Sequence, residues 1–154
     1  MPANYTHKRR IGAFTRSGGV IGLFTQYGDL FMKTASVLDI DVTNPGTSAV
    51  TRSLSVVGGI QVDAIVQALV YDTGTGNIYC HLSSLDQNDE APSGTAAPLA
   101  SFASENISAI SPARMTIRTN TSGQIRSRVG PISGAGTILR IATLGWIDTR
   151  GRLA

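Results

Sequence analysis

Cys80 and His81 are adjacent, and a thiolate and an imidazole are two side chains well suited to hold zinc. Neighbours on a strand point to opposite faces, so this pair is not expected to converge on one ion, and His7 is distant in the chain. "DQNDE", residues 86 to 90, offers the oxygens a calcium ion prefers, without the spaced Asp-x-Asp-x-Asp-Gly order of a calcium loop. Asp39 and Asp41 fall on one strand face and are a candidate pair for glycoside hydrolysis, although alternating acids on a solvated face are the plainer explanation. Nucleophilic catalysis needs Ser or Cys beside a base held by a third group. The two His stand in no such context, and there is no strand-Gly-x-Ser-x-Gly-helix elbow. "GTGN" lacks the Lys and the helix of a phosphate loop. The expectation is a protein that is not an enzyme and has no catalytic, metal or cofactor site.

Arginine supplies the remaining chemistry. Arg114 and Arg118 alternate with Ala113, Met115 and Ile117, while Arg126 and Arg128 alternate with Ile125, Ser127 and Val129. Two strands, Ala113 to Thr119 and Gln124 to Val129, joined through "NTSG", are expected to form a hairpin that shows all four guanidinium groups on one face. Cations crowded on one face repel, and carboxylates or phosphates on a partner reverse that cost. Three readings stand: a solvated face, a protein contact, and a nucleic-acid site, the last disfavoured because these strands lack aromatic rings for bases to stack on. Arg150 and Arg152 extend the basic group, and all six are the candidate partner interface. Tyr27, Tyr71 and Tyr79, with the 84 to 98 loop, are the candidate contacts for a glycan.

The elements that position these residues read as strands. Residues 9 to 14 and 20 to 26 flank the turn "TRSGG"; Leu30 to Thr34 and Ser36 to Val42 follow, the second with Val37, Asp39 and Asp41 on one face and Leu38, Ile40 and Val42 on the other. "NPGT" turns the chain into Ser48 to Val56, and Ile60 to Tyr71 keeps period two over its whole length. Ile78 to Ser83 precedes "SLDQNDEAPSGTAAPLAS", which breaks every periodicity and is expected to be a long surface loop. The last strand, from Ile138 to Ile147, is apolar on both faces and so expected to be central and covered twice, with Trp146 in the core beside Ile138, Ala142 and Leu144. About ten short strands and no convincing helix predict an all-β, antiparallel β-sandwich, jelly-roll-like, as one domain over 1–154.

Composition agrees. Only 15% of residues are charged and 17 are Gly, which excludes general disorder and calls for many turns. No apolar run nears the roughly 20 residues of a membrane span, and the start lacks a secretion signal, so a soluble chain made in the cytoplasm is expected. Cys80 is the single cysteine; it reads as a small buried side chain, and the only disulfide open to it is between two copies. The formal charge of +3 is unevenly spread: residues 11 to 105 hold three cations against nine acids, and residues 106 to 154 hold seven Arg against Asp148. Such a chain suits contact between unlike poles of two copies.

"MPANYTHKRRIGAF" with "FTQYGDLF", "AISPARMTIRTNTSGQIRSRV" and "LRIATLGWIDTRGR" resemble a module of tailed-bacteriophage virion proteins, found near the C-terminal end of tail-fibre-like chains. The resemblance runs through most of the chain and is strongest at its two ends. It implies a β-rich, non-enzymatic virion part, assembled in the host cytoplasm. Its expected partners are copies of itself, as a homo-oligomer with a trimer favoured, and other virion proteins, with host surface glycan as the alternative. No heptad or collagen-like segment supplies a stalk, so a capsid or tail surface decoration fits the length as well as a fibre tip does.

Overall fold

The computed structural model describes residues 12–74, 77–97, 99–104, 112–131 and 133–149. These residues form eleven strands: β1 (Arg16–Ser17), β2 (Val20–Ile21), β3 (Phe24–Tyr27), β4 (Leu30–Thr43), β5 (Val50–Ser53), β6 (Asp63–Asp72), β7 (Ile78–Ser83), β8 (Ala100–Ser104), β9 (Ala113–Arg118), β10 (Gln124–Gly130) and β11 (Thr137–Ile147). All pairings are antiparallel. β1 and β2 make a two-stranded ribbon, β5-β10-β7-β8 a four-stranded sheet and β3-β4-β11-β6-β9 a five-stranded sheet. The protein is an all-β sandwich, as its alternation predicts.

One apolar cluster joins the two larger sheets. Ile78, Cys80, Leu82, Ile125 and Val129 come from the smaller sheet, and Ala64, Val66, Ala68, Val70, Ile117, Leu139, Ile141 and Trp146 from the larger. Apart from Trp146, each set occupies alternate positions of its strand, so period two puts one face of every strand into the interior. Trp146 is fully buried and stacks on Phe31 with ring centroids 5.3 Å apart and planes 5° from parallel; Phe24 closes the group at 5.6 and 5.9 Å. Burial raises the Cys80 thiol pKa well above its ordinary value.

Several elements differ from the sequence expectation. Residues 30–43 form one strand, with irregularities in its pairing to β11 at Ile141/Ala142 and at Thr143/Gly145. At the first, Ile40 faces Ile141 and Leu38 faces Ala142, so Asp39 is the extra residue of a β-bulge. The bulge reverses the facing upstream of it: Leu38 lies outside and is 54% exposed, while the Asp39 carboxylate is taken up by the Ser55 N–H at 3.1 Å, the Ser55 hydroxyl at 2.5 Å and the Thr143 hydroxyl. At the second, Gly145 carries the chain so close to β4 that a Cβ there would collide with the Phe31 carbonyl oxygen. The shift brings Trp146 to the inner face with Leu139, Ile141 and Thr143, opposite to the face that strict alternation assigns it.

β11 is central, between β4 and β6. It is not covered twice: Ile138, Ala142 and Leu144 remain half-buried on the outer face, beside an Arg140–Asp41 ion pair at 2.9 Å. β8 starts in the last two residues of the segment expected to be loop, runs on to Ser104, and is an added edge strand of the smaller sheet. The N-terminal hairpin turns at Gly18 and Gly19, both at positive φ; its first strand falls inside the expected turn "TRSGG", residues 12–14 are not strand, and the expected strand 20–26 divides into β2 and the start of β3. Residues 9–11 lie outside the described residues.

Candidate interaction interface

The expected four-arginine face does not form. β9 pairs with β6 at the edge of the larger sheet, whereas β10 pairs with β5 and β7 in the middle of the smaller one. "NTSG" is therefore a corner that carries the chain from one sheet to the other, where Asn120 receives backbone N–H groups of Ser122 and Gln124 on its side-chain oxygen at 2.9 Å each. The alternation within each strand holds: Arg114 and Arg118 point out of the larger sheet, Arg126 and Arg128 out of the smaller. Two pairs of guanidinium groups thus occupy opposite outer faces of the sandwich. Arg150 and Arg152 lie outside the described residues.

The two pairs differ in what they touch. Arg126 donates to the Gln87 carbonyl oxygen at 2.6 Å, and Arg128 donates to Asp89 at 2.6 Å and to the Thr47 carbonyl oxygen at 3.1 Å. Gln87 and Asp89 belong to the segment expected to be a free surface loop. It folds back over the smaller sheet: Pro92 is buried against Gly130, where a Cβ would lie 3.2 Å from the Pro92 carbonyl oxygen, and Gly94 sits against the Tyr79 hydroxyl. His81 lies under this cover, 4% exposed, although it points away from the core, and its Nδ1 has no hydrogen-bond partner among the described residues. Cys80 faces the other way, into the interior. Arg126 and Arg128 are therefore engaged within their own chain.

Arg114 and Arg118 are both exposed: Arg118 donates to the Gln61 side-chain oxygen at 3.3 Å, and Arg114 has no hydrogen-bond or ion-pair partner among the described residues. They flank Thr116 on an exposed edge strand.

The three tyrosines do not converge. Tyr27 pairs with Leu30, which pairs with Ile147, whereas Tyr71 pairs with Ile138. Nine steps of β11 separate those positions, about 30 Å at ~3.3 Å per residue. Tyr79 is on the other sheet, beneath the loop. They offer three separate surfaces.

What the sequence reading missed is apolar. Among the described residues the exposed large hydrophobic ones are Phe14 (54%), Val20 (70%), Ile21 (53%), Leu23 (77%), Tyr27 (67%), Val37 (37%) and Leu38 (54%), all within one stretch of 25 residues. Phe14, Gly22 and Val37 line a common cleft with Arg16, Lys33 and Ser55. The signal was present in "GGVIGLF", where apolar residues occupy successive positions of a short ribbon, so that one of each adjacent pair must face water. No protein-family model matches the chain, and no curated protein matches it.

Proposed function

We propose that the chain is a structural subunit of a tailed-bacteriophage virion, a surface part of the tail, fibre or shell that works by assembling with copies of itself and with neighbouring virion proteins. The observation that carries this reading is the set of seven large hydrophobic side chains on residues 14–38 that stay exposed although the two larger sheets already share an apolar core. A monomer's largest apolar patch is usually about 300–600 Å², and larger ones mark association surfaces. Two further features support it: the likeness of the quoted segments to phage virion modules, and the unpaired Arg114 beside Arg118 on an outer face, which suits acidic groups of a neighbouring protein.

In this reading apolar burial supplies affinity, and the arginines select orientation, because an exposed ion pair adds only about 0–1 kcal/mol. Washed particles of the phage that encodes the chain are expected to retain it in fixed ratio to the major shell or tail protein by quantitative mass spectrometry. Its absence from washed particles overturns the proposal.

A further inference from the structure

We infer that the outer edge of β4, residues 35–43, is the contact between two copies of this chain, which add edge to edge about a twofold axis to make one continuous antiparallel sheet. The inference rests on the reading of the chain as a self-assembling subunit and names the contact it uses. β3 pairs with β4 only over Leu30–Lys33, and the Thr34 N–H donates to the Leu23 carbonyl oxygen at 3.1 Å. Beyond that point β4 pairs with β11 on one side, and among the described residues no strand pairs with it on the other. Nine residues of strand, about 30 Å at ~3.3 Å each, thus present backbone N–H and C=O groups outward.

Open edges are usually guarded by Lys, Pro, a β-bulge or an inward-pointing charge. This one carries the Asp39 bulge, with its carboxylate turned inward, and residues 35–43 contain no Lys, Arg or Pro. Their two acids are both engaged by their own chain, Asp39 by Ser55 and Thr143, and Asp41 by Arg140 at 2.9 Å. Arg140 offsets the charge of the half-exposed Asp41 and so weakens repulsion between two copies. An antiparallel pairing of one strand with itself is isologous, so the same patch serves on both sides. A dyad near Leu38 sets the exposed Leu38 of the two copies side by side on the outer face and leaves β3 end to end with the partner's β4.

Val37 and Leu38 on this edge, and Leu23 where its carbonyl meets the Thr34 N–H, are 37%, 54% and 77% exposed and add apolar burial to the backbone pairing. A twofold contact builds dimers and even-numbered assemblies, in contrast to the trimer that fibre-like modules suggest.

The test uses the full chain in sedimentation equilibrium, together with amide hydrogen exchange at several protein concentrations. Dimers are expected, with exchange along 35–43 slowing as concentration rises. Leu38→Lys, at a position exposed in the single chain, is expected to raise the dissociation constant by at least about tenfold with an unchanged monomer melting temperature. If the chain self-associates but Leu38→Lys and the 35–43 amides are insensitive, the edge contact is wrong and the assembly reading stands. A trimer as the smallest assembled species overturns the twofold contact. A chain that stays monomeric at all concentrations overturns both.

Discussion

Trp146 and Cys80 report the interior residue by residue. Trp146 is the only tryptophan and has no exposed surface, so its fluorescence is expected to be blue-shifted in the folded protein and to move red in a single step on denaturation. Replacing it by Ala removes the stacking on Phe31 and Phe24 and is expected to cost about 3–5 kcal/mol, measured from urea unfolding curves. The Cys80 thiol is held in its protonated form by burial, so iodoacetamide is expected to leave the native protein unlabelled and to label it once unfolded. Rapid native labelling would place Cys80 at the surface, and the same burial keeps it from bridging two copies.

Lys33 shows how a half-buried cation couples to pH. Its ammonium lies 5.6 Å from the Trp146 ring, and burial lowers its pKa below 10.5, a shift partly opposed by Asp39. Between that lowered value and 10.5 the unfolded chain binds the proton more tightly than the folded one. Stability from this group therefore rises with pH across that window and is absent below it. Lys33→Met is expected to flatten the rise when unfolding curves of variant and parent are compared from neutral pH to 10.5.

At the scale of elements, the segment after β7 acts as a cover held by a few polar contacts. The Arg128–Asp89 pair is about one-third exposed, which limits its value to about 1 kcal/mol or less. Asp89→Asn is therefore expected to leave the global melting temperature nearly unchanged while speeding amide exchange and protease cleavage in residues 84–97. Equal protection in variant and parent would show that Pro92 and the backbone contacts hold the cover without the ion pair.

The same scale explains what could be read in advance. Alternation in β6, β9 and β10 fixed which side chains go inward, since one face of each strand must meet the core. It carried no information about which sheet a strand joins, so Arg114 and Arg118 were grouped with Arg126 and Arg128 across a corner that looks like an ordinary turn. Bulges were equally silent. Asp39 is one residue too many opposite Ile141 and Ala142, and nothing in "SVLDIDV" marks it. Gly145 was the one legible clue near Trp146, because Gly inside a strand often signals close backbone approach. Period-two reading also could not see that residues 35–43 lack a neighbour, a property of the whole sheet.

For the molecule as a whole, apolar and charged surfaces have separate roles. Because the acids of the β4 edge are engaged within the chain, dimer affinity is expected to change by less than about tenfold between low and high salt, where exposed charges are screened. Arg114→Glu with Arg118→Glu is expected to leave the dimer intact while reducing incorporation into particles, scored by mass spectrometry of washed virions. Loss of the dimer in that variant would move the self-contact to the β9 face.

The place of β11 also governs when the fold can form. Among the described residues it supplies the only hydrogen-bonded link between β4 and β6, so the larger sheet exists as two unjoined ribbons, β3-β4 and β6-β9, until residues 137–147 arrive. A nascent chain that stops before Thr137 therefore carries a gap in its larger sheet. Closure of that sheet waits for β11, so a subunit offers no completed sheet before residues 137–147 are made.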